Sequence, residues 1–439
     1  MKTEIKINSS RTIRPFYEGN NPPSNKDYIP LNVFDKVNYD TLVALLFAYH
    51  PPTPPNSTLE VGLRKALSVY RPWAGRLSKD EKGNQIILIN DNGIKFIEAL
   101  VDGALDETVS FTPSPSITKL HPSTQGVVDE LLQIQLTRFK CGSLVIGLAG
   151  HHLVADGLSA SNFLVAWGQA TRGVDINPLP FLDHTIFTPR EPPQFDQFKH
   201  RGVEYMNRKN KHFPLKNHVN QDEIDACKVC FDKTFIARLK AEASSRIDSD
   251  KRPYSTFESL LAHVWKTITK ARGLSDNETT HVKISVNGRM RVTPKVPNYF
   301  GNLVLWAFPT SKSKDLITEP ISYAAKIVHD SVAKVNDDYF RSFIDFASYK
   351  VEEEDLIPTA DVNKHVLCPN VNVDSWLRFQ FYDLDFGTGC PFAFMPSYIP
   401  VDGLIFLLPT SKEDGSIDVI VSLFKEKLET FKQICYSLE

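Results

Sequence analysis

The run Ser143-Leu-Val-Ile-Gly-Leu-Ala-Gly150 is almost wholly apolar and stops abruptly at His151-His152-Leu153-Val154-Ala155-Asp156-Gly157. A short apolar run with such boundaries reads as a buried strand. Leu131 to Phe139 supplies its partner and Lys140-Cys141-Gly142 the turn, so the segment predicts a hairpin. After Gly157, Leu158, Phe163, Leu164 and Trp167 recur at helical spacing, which predicts a helix from near Ser159. Strand, tight connection and helix in succession call for a sheet with helices laid against it, an α/β architecture. They also place His152 and Asp156 in the connection.

An imidazole titrating near neutrality can take a proton from a nucleophile and return it to a leaving group, and a short loop on a rigid strand fixes its direction. Asp156 has two possible roles: orienting the ring directly, or pairing with a distant cation to hold the loop. The spacing His-x-x-x-Asp is weak alone. His218 and Asp222 repeat it in the polar stretch Lys216 to Asp225, with no apolar strand before them. A structural reading makes both histidines satisfied strand-end residues. A metal reading finds no third cluster of His or Cys, so no metal is expected. No Gly-x-Ser-x-Gly elbow occurs and no cysteine lies near His152 in a nucleophile motif.

At 439 residues the chain exceeds one ordinary core, which predicts two domains. A net charge of −2 offers no general field for nucleic acid or an anionic membrane. No run of about 18 apolar residues and no signal-like h-region is found, so a soluble, cytoplasmic protein is expected. Six cysteines are too few for a disulfide scaffold. Cys227-Lys-Val-Cys230 falls in a strand-like run and is read as structural rather than redox-active.

Leu59 to Tyr70 and Ser255 to Arg272 read as amphipathic helices, and Gln85 to Asn90, Thr280 to Val286 and Leu303 to Phe308 as strands. Between Thr188 and Leu215 periodic apolar positions thin out, which predicts a linker at 188–215 between domains at 1–187 and 216–439.

His151 to Gly157, together with Asp385-Phe386-Gly387-Thr388-Gly389, resembles the signature pair of plant BAHD acyl-CoA-dependent acyltransferases. Leu31 to Asp35, Arg71 to Leu77 and Asn298-Tyr299-Phe300-Gly301-Asn302 match further family segments in order. The segments Phe34 to Asp40, Arg138 to Ser143 and Ala166 to Gly173 look most like the amine N-hydroxycinnamoyltransferases that acylate agmatine or putrescine. One departure is Thr388, where the family commonly has Trp in a mainly structural motif; it bears on stability or coenzyme fit.

The resemblance implies an α/β fold of two similar chloramphenicol-acetyltransferase-like domains, mixed sheets flanked by helices, with an acyl-CoA channel between them. It further implies that a segment at about 370–388, with a strand near Trp376 to Asp385, crosses back to the first domain. His152 would be the general base, and Asp156 would turn away to pair with Arg289, favoured over Arg291. Asp385, Gly387 and Gly389 would be structural. Ser255 and Thr256, opening a long helix, would meet coenzyme phosphates, a role compatible with capping. Asp374-Ser375-Trp376 aligns with an acceptor-pocket segment. There Asp374 would hold the distal cation of a diamine-like acceptor, and Trp376 would line the pocket. Glu352 to Asp355 reads as a solvated acidic face.

The expected partners are an acyl-CoA donor, as co-substrate rather than bound cofactor, and a small amine acceptor, with the enzyme a monomer. O-acylation of an alcohol or hydroxy acid uses the same base. A non-catalytic acyl-CoA-binding relative is a third reading. Condensation domains share the His-His-x-x-x-Asp-Gly motif, but no Ser-bearing carrier module or neighbouring domain is evident.

Overall fold

The computed structural model describes residues 4–19, 22, 28–126, 128–211, 220–248, 252–361, 365–412 and 414–438. Two mixed sheets carry the fold. The first runs Ile5–Ile13, Ile94–Val101, Leu132–Phe139, Leu144–His151, Leu42–Tyr49, Ala393–Pro396. It is antiparallel apart from the pair Ile94–Val101 and Leu132–Phe139. The second runs Ile224–Phe231, Ile417–Phe424, Leu404–Pro409, Val371–Ser375, Thr279–Asn287, Val304–Ala307, with two parallel pairings at its centre.

The expected hairpin forms, with Leu136 opposite Ile146. Its return strand is covered on both faces. A Cβ at Gly147 would lie 2.2 Å from the Leu120 carbonyl oxygen, so the chain crossing above the sheet admits only glycine there. Helices Asn56–Val69 and Gly157–Thr171 pack together beside the first sheet, tied by Trp167 Nε1, which donates to the Leu59 carbonyl at 2.8 Å. The second helix begins two residues before its expected start because Asp156 is its N-cap and accepts from the Ser159 amide.

Helices Lys233–Ala243, Thr256–Arg272, Ile321–Lys334 and Lys425–Ile434 build the second core, centred on the fully buried Trp265. Strand Thr279–Asn287 alternates with period two. Thr280, Val282, Ile284 and Val286 face the core, whereas Lys283 and Ser285 face outward.

Three expectations change in detail. Trp376 to Asp385 is not a strand. It leaves the second sheet after Val371–Ser375 and has one short 3-10 turn at Phe381–Asp383. The strand that completes the first sheet is Ala393–Pro396, paired with Leu45–Ala48. The aromatic residues Trp376, Phe381 and Phe386 of that stretch pack in the first core. Second, Phe34 and Val37 belong to the second core although they lie early in the chain.

Third, the described part of 188–215 is not a loose tether. Arg190 pairs with Asp345 at 2.8 Å, Tyr205–Asn207 pairs with Leu356–Pro358, and His200 and Glu204 are buried 3.1 Å apart. Buried polar partners hold this stretch where its sequence lacks apolar periodicity. His218 lies outside the described residues. Among the described residues no cysteine forms a disulfide; Cys227 is buried and Cys230 exposed. Among the described residues no helix is long and apolar enough to cross a membrane.

Candidate active site

The loop bearing His152 is fixed by main-chain bonds from both sides. His151 N donates to the Leu131 carbonyl at 2.8 Å and His152 N to the Thr41 carbonyl at 2.9 Å. The loop closes with Val154 N on the His151 carbonyl at 3.0 Å. Gly157 lets the crossing segment approach, since a Cβ there would stand 2.6 Å from the Phe379 ring.

Asp156 and Arg289 form a buried two-pronged ion pair, with Nη1 to Oδ2 at 2.8 Å and Nη2 to Oδ1 at 3.0 Å. The carboxylate also accepts from Ser159 N at 3.0 Å and Leu303 N at 3.1 Å. Of the two roles open to Asp156, the structure shows pairing with a distant cation. Arg291 instead donates to the Val332 and Val335 carbonyls. His152 is partly exposed, and its buried Nδ1 has no hydrogen-bond partner among the described residues.

Facing this loop, the segment Tyr299 to Leu303 is stapled to it almost residue by residue. Arg289 Nε donates to the Tyr299 carbonyl at 2.9 Å, and Ser159 Oγ to the Gly301 carbonyl at 2.9 Å. Asn302 Nδ2 donates to the His152 carbonyl at 2.8 Å. The fully buried Asp35 accepts from both Asn302 nitrogens at 3.1 Å. Asn302, Asp35 and Ser159 were not among the expected site residues. The sequence signal for Asp35 and Asn302 was membership of segments that resemble the family, and for Ser159 only the expected helix start.

Beside the imidazole stands Tyr39, with ring centroids 5.7 Å apart at 64°. Burial of its hydroxyl pushes the phenol pKa up, and the charge of Asp374 adds to the rise. Asp374 accepts from Ser285 Oγ at 2.7 Å across the parallel strands. Lys283 Nζ lies 4.0 Å from the Trp306 ring centroid and 5.7 Å from that of Tyr39. His151 is pushed below the ordinary histidine range by burial, against the pull of Asp40 and with help from His152.

Trp376 is 8% exposed and sits among Phe379, Phe381, Phe394 and Phe406, a core position rather than an open pocket wall. Ser255 is the N-cap of Thr256–Arg272 in a capping box with Glu258, whose other oxygen lies 2.8 Å from His329 Nδ1. A carboxylate therefore already occupies that positive helix end, and Thr256 is its first helical residue. Asp385 Oδ1 accepts from Gly387 N at 2.7 Å and Gly389 N at 3.0 Å, and both glycines have positive φ. Thr388 between them is exposed.

Two cavities, of about 310 Å³ near His263 and Lys266 and about 220 Å³ near Phe187 and Val292, lie away from His152.

The model of the Transferase family matches residues 3–438. Agmatine coumaroyltransferase-1 of Hordeum vulgare is 48% identical over 442 residues, covering 99% of this chain and 100% of that protein. Agmatine hydroxycinnamoyltransferase 1 of Oryza sativa subsp. japonica is 47% identical over 451 residues, covering 99% of each. Among solved structures, vinorine synthase superposes with a TM-score of 0.71 at 22% identity, covering 97% of this chain and 96% of that one.

Proposed function

Because the chain belongs to the Transferase family, the BAHD acyltransferases, we propose that it is an acyl-CoA:amine N-acyltransferase that moves a hydroxycinnamoyl group onto agmatine, putrescine or a related amine, with His152 as general base. The observation that carries the base assignment is the division of labour in the loop. Asp156 is consumed by Arg289, while the partly exposed imidazole of His152 is left outside that pair and stands beside Tyr39. The relatives named for agmatine support the donor and acceptor classes.

In this reading His152 removes a proton from the neutral acceptor nitrogen as that nitrogen attacks the thioester carbonyl carbon. The tetrahedral intermediate collapses, the C–S bond breaks, and the imidazolium returns its proton to the departing coenzyme A thiolate. A primary alkyl ammonium has a pKa of about 10, so the site must select or generate the free base. Asp374 would hold the distal guanidinium or ammonium of the acceptor, fixing which nitrogen reaches the carbonyl. Acyl-CoA and amine would meet in a channel between the domains, and the enzyme would work as a cytoplasmic monomer.

The test is a matrix of coumaroyl-, feruloyl-, benzoyl- and acetyl-CoA against agmatine, putrescine, tyramine, tryptamine, a cyclic secondary amine and shikimate, read by thiol release. Greatest turnover with a hydroxycinnamoyl-CoA and a linear cationic amine is expected. Greatest turnover with shikimate would replace the proposal with O-acylation.

A further inference from the structure

Tyr39 packs edge-on against the His152 ring, with centroids 5.7 Å apart, but among the described residues no side chain hydrogen-bonds that ring to fix its direction. Its Nδ1 is buried without a partner among the described residues, and the nearby carboxylate of Asp156 is committed to Arg289, Ser159 N and Leu303 N. What remains is the backbone. On the amino side, His152 N is tied to Thr41 of the first domain at 2.9 Å. On the carboxyl side, the His152 carbonyl accepts from Asn302 Nδ2 at 2.8 Å, a residue of the chain's other half.

That same Nδ2 lies 3.1 Å from Asp35 Oδ1. Its two hydrogens are thus divided between a carboxylate and a carbonyl, and the Asn302 main-chain N–H also points at Asp35 Oδ1 at 3.1 Å. The carboxylate in turn is fixed by Asn32 N at 3.0 Å and His184 Nδ1 at 3.1 Å. Asp35 and Asn302 are fully buried, so no water competes for these bonds. Rotation of the amide would break its bonds to both the Asp35 carboxylate and the His152 carbonyl.

We propose that Asn302 is a positioning residue for His152: braced by Asp35, it fixes the peptide plane after the imidazole and so aims the ring at the reacting nitrogen. The inference rests on His152 being the base. It assigns the orienting work to an amide on the main-chain carbonyl, in place of a carboxylate on the ring. Misplacement of a catalytic group by about 1 Å can cost about 100-fold, so loss of this bond should show in the rate.

The experiment is steady-state kinetics of Asn302→Ala with the donor and acceptor that the wild-type enzyme turns over fastest, beside Val286→Ala as a buried control in the adjoining strand, with melting temperatures for both. A fall in kcat of about 10- to 100-fold is expected for Asn302→Ala, with both KM values within about threefold. The control is expected to keep kcat within about threefold despite a comparable loss of melting temperature. Retention of kcat by Asn302→Ala, or an equal loss in the control, overturns the proposal. If Asn302→Ala does not fold, Asn302→Ser, whose single short donor cannot span carboxylate and carbonyl, is read in the same way. His152→Ala is measured in parallel. Turnover surviving in that variant overturns the base assignment, whereas its loss together with an unaffected Asn302→Ala overturns only the positioning role.

Discussion

Arg289, just after strand Thr279–Asn287 of the second sheet, grips both oxygens of Asp156, just after strand Leu144–His151 of the first, with bond lengths of 2.8 and 3.0 Å. Each partner is nearly sealed from solvent, so removing either strands a buried charge. Asp156→Ala and Arg289→Ala should each lower the unfolding free energy by about 3–5 kcal/mol. The double variant should lose well under the sum of the two, because it leaves no lone charge. Urea denaturation of the four proteins checks this, and simple additivity would contradict it.

His152→Ala should fold normally and lose at least about 100-fold in kcat, the lower range for a positioned base. Thiol release at saturating acyl-CoA, together with an unchanged melting temperature, is the measurement.

Asp374→Asn keeps the bond from Ser285 Oγ geometrically available but removes the charge. For a linear cationic acceptor KM should rise about 10- to 100-fold, as expected for loss of a charge-assisted hydrogen bond, with little change for acyl-CoA. Equal KM values for agmatine in variant and parent would reassign Asp374 to a strand-end hydrogen bond with Ser285.

The loop after Asp385 separates a structural requirement from a tolerated departure. Asp385→Ala removes the acceptor of the Gly387 and Gly389 amides and should cost about 1–3 kcal/mol of stability. Thr388→Trp, which restores the residue common in the family at an exposed site, should stay within about 0.5 kcal/mol of the parent. Melting temperatures of both variants decide.

Three histidines set an acid limit to stability. His121, His151 and His263 are each pushed below the ordinary histidine range, with burial the leading cause. Their folded-state pKa values lie under the unfolded value of about 6.5, so as pH falls the unfolded chain binds protons that the folded chain resists. Their contribution is complete above that value and drains away below it. The urea midpoint should therefore drop between pH 7.5 and 5.5, and His121→Gln or His263→Gln should each make the drop shallower. An unchanged slope in both variants would assign the acid sensitivity to other groups.

Local pattern carried much of the architecture. The hairpin Leu132–Phe139 with Leu144–His151 and the helix Thr256–Arg272 were legible because their periodicity and caps lie within each segment. Strand Ala393–Pro396 was not, since its partner Leu45–Ala48 is remote in sequence and four residues carry little pattern. Within the site, His152 was visible through its titrating side chain and the strand before it. Asn302 was not visible as a site residue, because its contribution is a bond to a carbonyl 150 residues away. The apolar face of Trp376 told nothing of whether it met substrate or core.

The insertion of Ala393–Pro396 at the edge of the first sheet has a consequence for biosynthesis. While the chain emerges from the ribosome, Leu42–Tyr49 keeps an unpaired flank until Ala393–Pro396 has been made, and a bare strand flank invites pairing with another chain. The amino-terminal half is thus a poor candidate for expression by itself. Nascent chains stalled before residue 393 should be the aggregation-prone ones.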